Sequence, residues 1–413
     1  MIKYDTFTLD NGLKVIVHKD NATPLACVNI LYDVGARDED ENRTGFAHLF
    51  EHLMFGGSVN IPSYDEPLQR VGGENNAFTT NDITNYYLTL PAENLETAMW
   101  LESDRMLSLA FSEKSLEVQR SVVIEEFKQR YLNQPYGDVW LLVRPLAYKV
   151  HPYRWATIGK EIKHIEEAVM DDVKAFFKKF YCPKNAIMVV AGAVETEQVK
   201  ALAKKWFEPI PGGEKPPRNL PVEPRQEEYR SLTVERDVPF DGVYMNFHMC
   251  ARNEPEYPVM DLISDLLSRG NSARLYNRLV KEERMFGEIN AFVMGDSDKG
   301  TFVVSGKLNE GISTEAAEAA VFVELAKLQE ELVSERELQK VKNKVESSLL
   351  FAEMGVLDKA MNLAYYELMG DINKVNTEID EYMRVTPEEI RTVAREVFRK
   401  TNCSTLHYKR KSK

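Results

Sequence analysis

Cysteine and histidine are scarce in this 413-residue chain, and positive charge is in deficit. The four cysteines (Cys27, Cys182, Cys250, Cys403) stand far apart with no Cys-x-x-Cys pair. That spacing supports neither a disulfide framework nor a thiolate zinc knuckle, and the thiols read as reduced, in a reducing compartment. Lys plus Arg number 52 against 65 Asp plus Glu, for a net charge of −13. Binding to a phosphate backbone needs a basic surface, so no nucleic-acid partner is expected. No apolar run of 18 residues occurs, so no membrane span is expected. The opening Met1-Ile2-Lys3-Tyr4-Asp5 has no basic segment leading into an apolar one. No secretory signal is visible there, and a cytoplasmic location is the expectation. The basic end, Lys409 to Lys413, is short and reads as a frayed terminus.

What is present is the composition of a soluble globular protein, 44% hydrophobic and 28% charged, with ample apolar residues for a core. Six of the 18 prolines fall between Pro209 and Pro224, a stretch that continues neither a helix nor a central strand. The expected organisation is a first domain over 1–210, a proline-rich linker over 211–227 and a second domain over 228–413. A hairpin is expected where Thr6–Leu9 and Leu13–Val17 flank Asp10-Asn11-Gly12. Strands are expected at Cys27–Tyr32, at the pair Glu74–Thr80 and Thr84–Leu90, and at Ala186–Gly192. Helical periodicity marks about 92–106, about 113–131 and 171–180. This mixture points to α+β. The second half weakly echoes the first: Val28–Arg37 aligns with Val243–Arg252, and Ala47–Met54 with Met260–Leu267 after a two-residue gap. The apolar positions survive in that alignment and the histidines do not.

Two of the seven histidines lie four residues apart in Phe46-Ala47-His48-Leu49-Phe50-Glu51-His52-Leu53-Met54. Residues four apart share one face of a helix, so His48 and His52 would aim two imidazoles at one ion. Imidazole is a preferred zinc ligand. Glu51 borders the same face, where a carboxylate would take a proton from a metal-activated water. The order H-x-x-E-H is the inverse of the commoner H-E-x-x-H zinc-protease string. A solvated helix edge is the alternative, but the flanking Phe46, Leu49, Phe50, Leu53, Met54 and Phe55 argue for burial, and buried His and Glu need partners or a metal.

Catalytic zinc usually takes three protein ligands. The third is sought in Leu116–Phe127, where Leu116, Val123, Ile124 and Phe127 form an apolar stripe continued by Tyr131. Glu126 borders the stripe and Glu125 lies toward the polar side, so Glu126 is preferred. For either residue, the alternative is a solvent-facing glutamate paired with Lys128 or Arg130.

With these residues in hand, the chain resembles the pitrilysin/insulinase zinc peptidases, in particular the half-sized branch that includes mitochondrial processing peptidase and bacterial homologues. The resemblance covers nearly the whole chain. It rests on His48 to His52, on Arg120-Ser121-Val122-Val123-Ile124-Glu125-Glu126, on Gly72-Gly73-Glu74-Asn75-Asn76-Ala77-Phe78-Thr79, on His151-Pro152-Tyr153 and on Asn185–Gly192. It implies two similar α+β domains, each a mainly antiparallel sheet with helices packed on it, enclosing a peptide chamber. It places Glu126 as third ligand, and it implies that the strand carrying Asn76, Ala77, Phe78 and Thr79 offers its edge to the substrate backbone. The chain departs from the family at two places. Gln119 stands where a further glutamate often neighbours the ligands. In the second domain Arg284 matches a substrate-holding Arg, but Glu288 replaces the usual Tyr, and a carboxylate cannot donate as a phenol does.

The expected activity is therefore zinc-dependent endopeptidase action on peptides or unstructured segments. His48, His52 and Glu126 would hold Zn2+, with Glu51 as base. A homodimer, or a heterodimer with a related chain, is the expected assembly. The rival expectations are a metal-bearing subunit that needs a second chain, and a non-catalytic structural subunit.

Overall fold

A computed structural model of the chain describes residues 1–411. It comprises two compact units, neither contiguous in sequence. Unit 1 contains Met1–Lys128, Trp155–Leu220 and Leu350–Thr377; unit 2 contains Gln129–Arg154, Pro221–Leu349 and Glu378–Lys413. The passage from Leu220 to Pro221 lies inside the proline-rich stretch. The contiguous halves expected at 1–210 and 228–413 each contain a segment, 129–154 and 350–377 respectively, that belongs to the other unit.

The reason for one exchange lies in the unit 1 sheet. Its strands are β1 (Asp5–Thr8), β2 (Lys14–Lys19), β3 (Leu25–Tyr32), β4 (Glu74–Thr79), β5 (Thr84–Pro91) and β6 (Ala186–Gly192), in the order β1-β2-β6-β3-β5-β4. All neighbours are antiparallel except β2 and β6. In β3 and β6 both faces are apolar and nearly every residue is buried, so each face needs a cover. The helix Val356–Leu368 supplies one, setting Ala360, Leu363 and Ala364 against Ile16, Cys27, Leu31, Val189 and Ala191. Among the described residues, no helix of the first half contributes to that cluster. In unit 2 the helix Val139–Ala147 does the converse, packing Val139 and Val143 on Val238, Leu406 and Tyr408.

Unit 2 has strands β7 (Arg230–Arg236), β8 (Gly242–His248), β9 (Phe286–Met294), β10 (Thr301–Leu308) and β11 (Cys403–Arg410), in the order β7-β11-β8-β10-β9. Substituting β2, β6, β3, β5 and β4 reproduces the unit 1 order, including the parallel pair at one side. Each unit also runs from a central strand into a buried helix: Phe46–Leu53 after β3, and Tyr257–Ser268 after β8. The echo read in the sequence is thus a repeat of topology.

The hairpin forms as expected around Asn11-Gly12. Gly12 takes φ 92°, a left-handed conformation that side chains resist, and Asn11 Oδ1 accepts from the Leu13 amide at 3.1 Å. The helix expected over about 113–131 ends at Phe127 and continues as a wider turn over Lys128–Leu132. The basic end differs from expectation. Lys409 and Arg410 belong to β11 and pair with β7, Lys409 Nζ meets Glu315 at 2.9 Å, and Ser412 and Lys413 lie outside the described residues. The strand is held because its register with β7 and β8 buries Leu406 and Tyr408. Among the described residues, no helix is long and apolar enough to cross a membrane.

Candidate metal centre

The helix Phe46–Leu53 begins at Gly45, whose φ is 88°. A Cβ there would meet the Ile158 carbonyl oxygen at 2.6 Å, so the turn into the helix requires glycine. The first amides are capped from a distance. Glu39 Oε2 accepts from Gly45 N at 2.9 Å and Oε1 from Ala47 N at 2.8 Å. Burial pushes the Glu39 carboxyl up to about 8, while these two amide donors pull it back toward ionisation. Sequence reasoning missed Glu39, because no local spacing signals a cap supplied from outside the helix.

The helix buries Phe46, Ala47, Leu49, Phe50 and Leu53. Phe50 stacks on Tyr181 and Phe177, with ring centroids 5.0 and 6.2 Å apart. That packing turns His48, Glu51 and His52 to the remaining side. Here they meet the helix Glu113–Phe127, which starts at Ser112, whose side chain accepts from Ser115 N at 3.0 Å. Leu116, Val123 and Phe127 of the expected stripe are its buried residues, and Ile124 is half-buried.

His48, His52 and Glu126 converge, each offering one donor atom within 4.8 Å of the others. Glu126 Oε2 lies 3.6 Å from His48 Nε2 and 3.4 Å from His52 Nε2. These gaps are long for N–H···O hydrogen bonds, which cluster near ~2.9 Å. They suit co-ligands instead: two donors ~2.0–2.2 Å from one tetrahedral ion stand roughly 3.3–3.6 Å apart. The three side chains are 13%, 24% and 18% exposed, sheltered yet open to a small molecule. Glu125 points elsewhere, pairing with Lys128 Nζ at 2.7 Å. The solvent-facing alternative weighed for both glutamates thus describes Glu125.

Beside the cluster, Glu51 Oε2 accepts from Thr79 Oγ1 at 2.7 Å. Tyr86 and Tyr181 lie close enough to feel the Glu51 charge. Burial above all, and that charge to a lesser degree, raise both phenols and keep them protonated. Their hydroxyls stand 3.3 Å apart.

The strand expected to meet a peptide, β4, sits at the end of the sheet order and pairs with β5 alone. Its side chains divide between two faces, as strand alternation requires. Phe78 packs into the cluster beneath the helix Val356–Leu368, and Asn76 stands opposite Tyr87. Ala77, opposite Tyr86, and Thr79 lie on the metal-centre face. The Ala77 amide donates to the Asn76 side chain at 2.9 Å and is thus turned away from β5 toward the open edge. The alternation of paired and unpaired residues in an antiparallel ladder turns the Asn75 and Thr79 backbones the same way.

Gln119 lies two turns before Glu126 on the same helix and is half-buried. Arg284 is in unit 2, exposed, with φ 52°; its carbonyl accepts from Asn309 Nδ2 at 2.7 Å. Glu288 pairs with Lys307 Nζ at 2.9 Å. His151 and Tyr153 also belong to unit 2, where they secure the β9–β10 turn: Tyr153 Oη accepts from the Asp298 amide at 3.0 Å.

The family described as Insulinase (Peptidase family M16) matches residues 14–138, and that described as Peptidase M16 inactive domain matches residues 168–345. A Helicobacter pylori protein named zinc protease PqqE is 30% identical over 413 residues, 98% of this chain and 93% of the relative. The chain belongs to peptidase family M16. The beta subunit of mitochondrial-processing peptidase from Saccharomyces cerevisiae is 30% identical over 261 residues, 61% of this chain and 55% of that one. A crystal structure of a protease from Helicobacter pylori superposes with a TM-score of 0.92 at 30% identity, covering 99% of this chain and 100% of the other. A Pseudomonas fluorescens structure titled peptidase M16 inactive domain has a TM-score of 0.90 at 16% identity, a likeness of fold alone. The M16 match to residues 14–138 spans all three converging donors, and the second match falls on the part that lacks the histidine pair.

Proposed function

We propose that this M16 member is a zinc-dependent endopeptidase acting on peptides or unstructured segments, with His48, His52 and Glu126 as metal ligands and Glu51 as general base. The observation that carries this reading is the convergence of two imidazoles and one carboxylate at co-ligand separations, with a fourth polar side chain, Glu51, beside them. Zinc bound there supplies a Lewis acid that polarises a carbonyl and acidifies water. The work of the chain's own residues is then specific. Glu51 takes a proton from the water that attacks the peptide carbon, and returns it to the amine nitrogen as the C–N bond breaks. The open edge of β4 holds the substrate backbone by main-chain hydrogen bonds, which tolerate many side chains. The relatives named zinc protease support the metal and the reaction class.

The first test is hydrolysis of a mixed peptide library by the purified chain, before and after chelation and with zinc restored. Cleavage lost on chelation and regained with zinc supports the reading; stoichiometric zinc with no cleavage of any peptide opposes it. Metal content gives a second, independent check. Glu126→Gln is expected to lower zinc affinity by at least about tenfold, while Glu125→Gln, whose carboxylate pairs with Lys128, leaves it within about twofold. Equal losses from both would overturn the ligand assignment.

Glu288 motivates a second reading. It is occupied by Lys307 and offers no phenol, so a related chain would complete the substrate clamp. The yeast relative is itself named as a subunit. Turnover by the pure chain that rises when a related chain is added favours this reading; full turnover alone excludes it.

A further inference from the structure

We infer that Thr79 is a positioning residue for the general base, joining the substrate-binding edge of β4 to Glu51 through one hydrogen bond. The inference deepens the proposed function and rests on it for the role of Glu51, but the bond itself belongs to the chain alone.

Thr79 is the last residue of β4. Its backbone is turned to the open edge, in phase with Ala77, and its side chain is turned to the metal-centre face, where Oγ1 donates to Glu51 Oε2 at 2.7 Å. One residue therefore touches both places where the reaction needs order. Threonine suits the task because branching at Cβ restricts χ1, so the hydroxyl direction follows the strand backbone. The strand is itself fixed in register on β5, Thr79 opposite Thr84. The carboxylate is thereby set by the sheet as well as by its own helix, and a peptide added to β4 is aligned to the strand that orients the base. Of the four β4 residues expected to contact substrate, Thr79 is thus assigned a different role: its side chain is committed to Glu51, and a peptide would meet only its backbone.

The test uses Thr79→Val, which keeps the shape and loses the donor, and Thr79→Ser, which keeps the donor. Steady-state peptide hydrolysis is expected to show kcat about tenfold or more lower in Thr79→Val, since hydrogen bonds to charged groups are among the stronger ones. KM should stay within about twofold and zinc content should be unchanged, while Thr79→Ser recovers most of the lost turnover. A KM rise at constant kcat would instead make Thr79 a substrate contact and overturn the inference. The second readout needs no activity. In the zinc-free chain, urea-unfolding midpoints of Thr79→Val, Glu51→Ala and the double variant are expected to be non-additive, because the two residues interact directly. Strictly additive shifts would show that no bond joins them and would also overturn the inference. If the parent chain cleaves nothing, the proposed function fails, and the unfolding cycle still decides whether Thr79 holds Glu51.

Discussion

Glu51→Gln is expected to lower kcat by about 10²–10⁴-fold, the usual contribution of a positioned acid–base group, while zinc remains bound at full stoichiometry. The two halves of this expectation have separate structural origins. The proposed metal donors, His48, His52 and Glu126, are not altered, and the helix that carries the two histidines keeps its buried face of Phe46, Leu49, Phe50 and Leu53. Glutamine retains the length and one carbonyl acceptor, so Thr79 can still donate, but an amide cannot accept and return a proton at neutral pH. The loss should therefore fall on kcat with little change in KM. Parallel measurement of zinc content and single-turnover hydrolysis checks it. Activity within threefold of the parent at equal zinc would remove Glu51 from the mechanism.

The second large effect lies below the centre, in Arg105. This side chain is 1% exposed and donates from Nε and Nη2 to the two oxygens of Glu102, at 2.9 and 2.7 Å. Tyr64 donates to the same carboxylate. The guanidinium stands 4.5 Å from the Tyr86 ring centroid, 4.6 Å from Tyr64 and 5.5 Å from Phe55. Breaking a buried pair by removing one partner strands the other charge, at a cost of about 3–5 kcal/mol. Arg105→Ala should reach that range, and Arg105→Lys should also be destabilising, because an ammonium cannot reproduce the two-pronged geometry. Replacing both members with apolar residues, Arg105→Met with Glu102→Leu, should recover much of the loss, since a well-packed apolar pair avoids burying charge. Denaturant unfolding of the four proteins measures this. An Arg105→Ala chain as stable as the parent would contradict the burial argument. The effect should reach the chemistry as well: Phe55 follows the motif helix, and Tyr86 lies opposite Ala77 of β4 and near Glu51.

Much of this could be read in the sequence, for reasons that differ by element. The strand Ala186–Gly192 appears with the bounds that its continuous apolar run predicted, because a strand buried on both faces has no alternation to blur its ends. The helix expected over about 113–131 is shorter than its periodicity implies. Its apolar period continues through Tyr131, but the backbone leaves α geometry after Phe127. Arg105 and Glu102 sit three apart on one helix, a spacing more often seen in solvent-exposed pairs, and nothing local distinguishes the buried case. The basic end departs from expectation for a related reason: Lys409 and Arg410 are charged, and only pairing with β7 makes them part of a strand.

The histidine pair was legible in the sequence alone, because helical geometry is local and four residues always return to the same face. The division into two related α+β units was legible for a similar reason: apolar periodicity and a cluster of prolines need no partner to be seen. Which glutamate joins the histidines was only a preference in the sequence, and the tertiary structure decided it by turning Glu125 to Lys128 and Glu126 to the imidazoles. Three further features came from the tertiary structure alone: the exchanged helices, the cap that Glu39 lends to the motif helix, and the bond from Thr79 to Glu51. Each joins residues distant in the chain, and a contact of that kind is selected by which buried faces and polar groups still lack a partner after the local elements have formed.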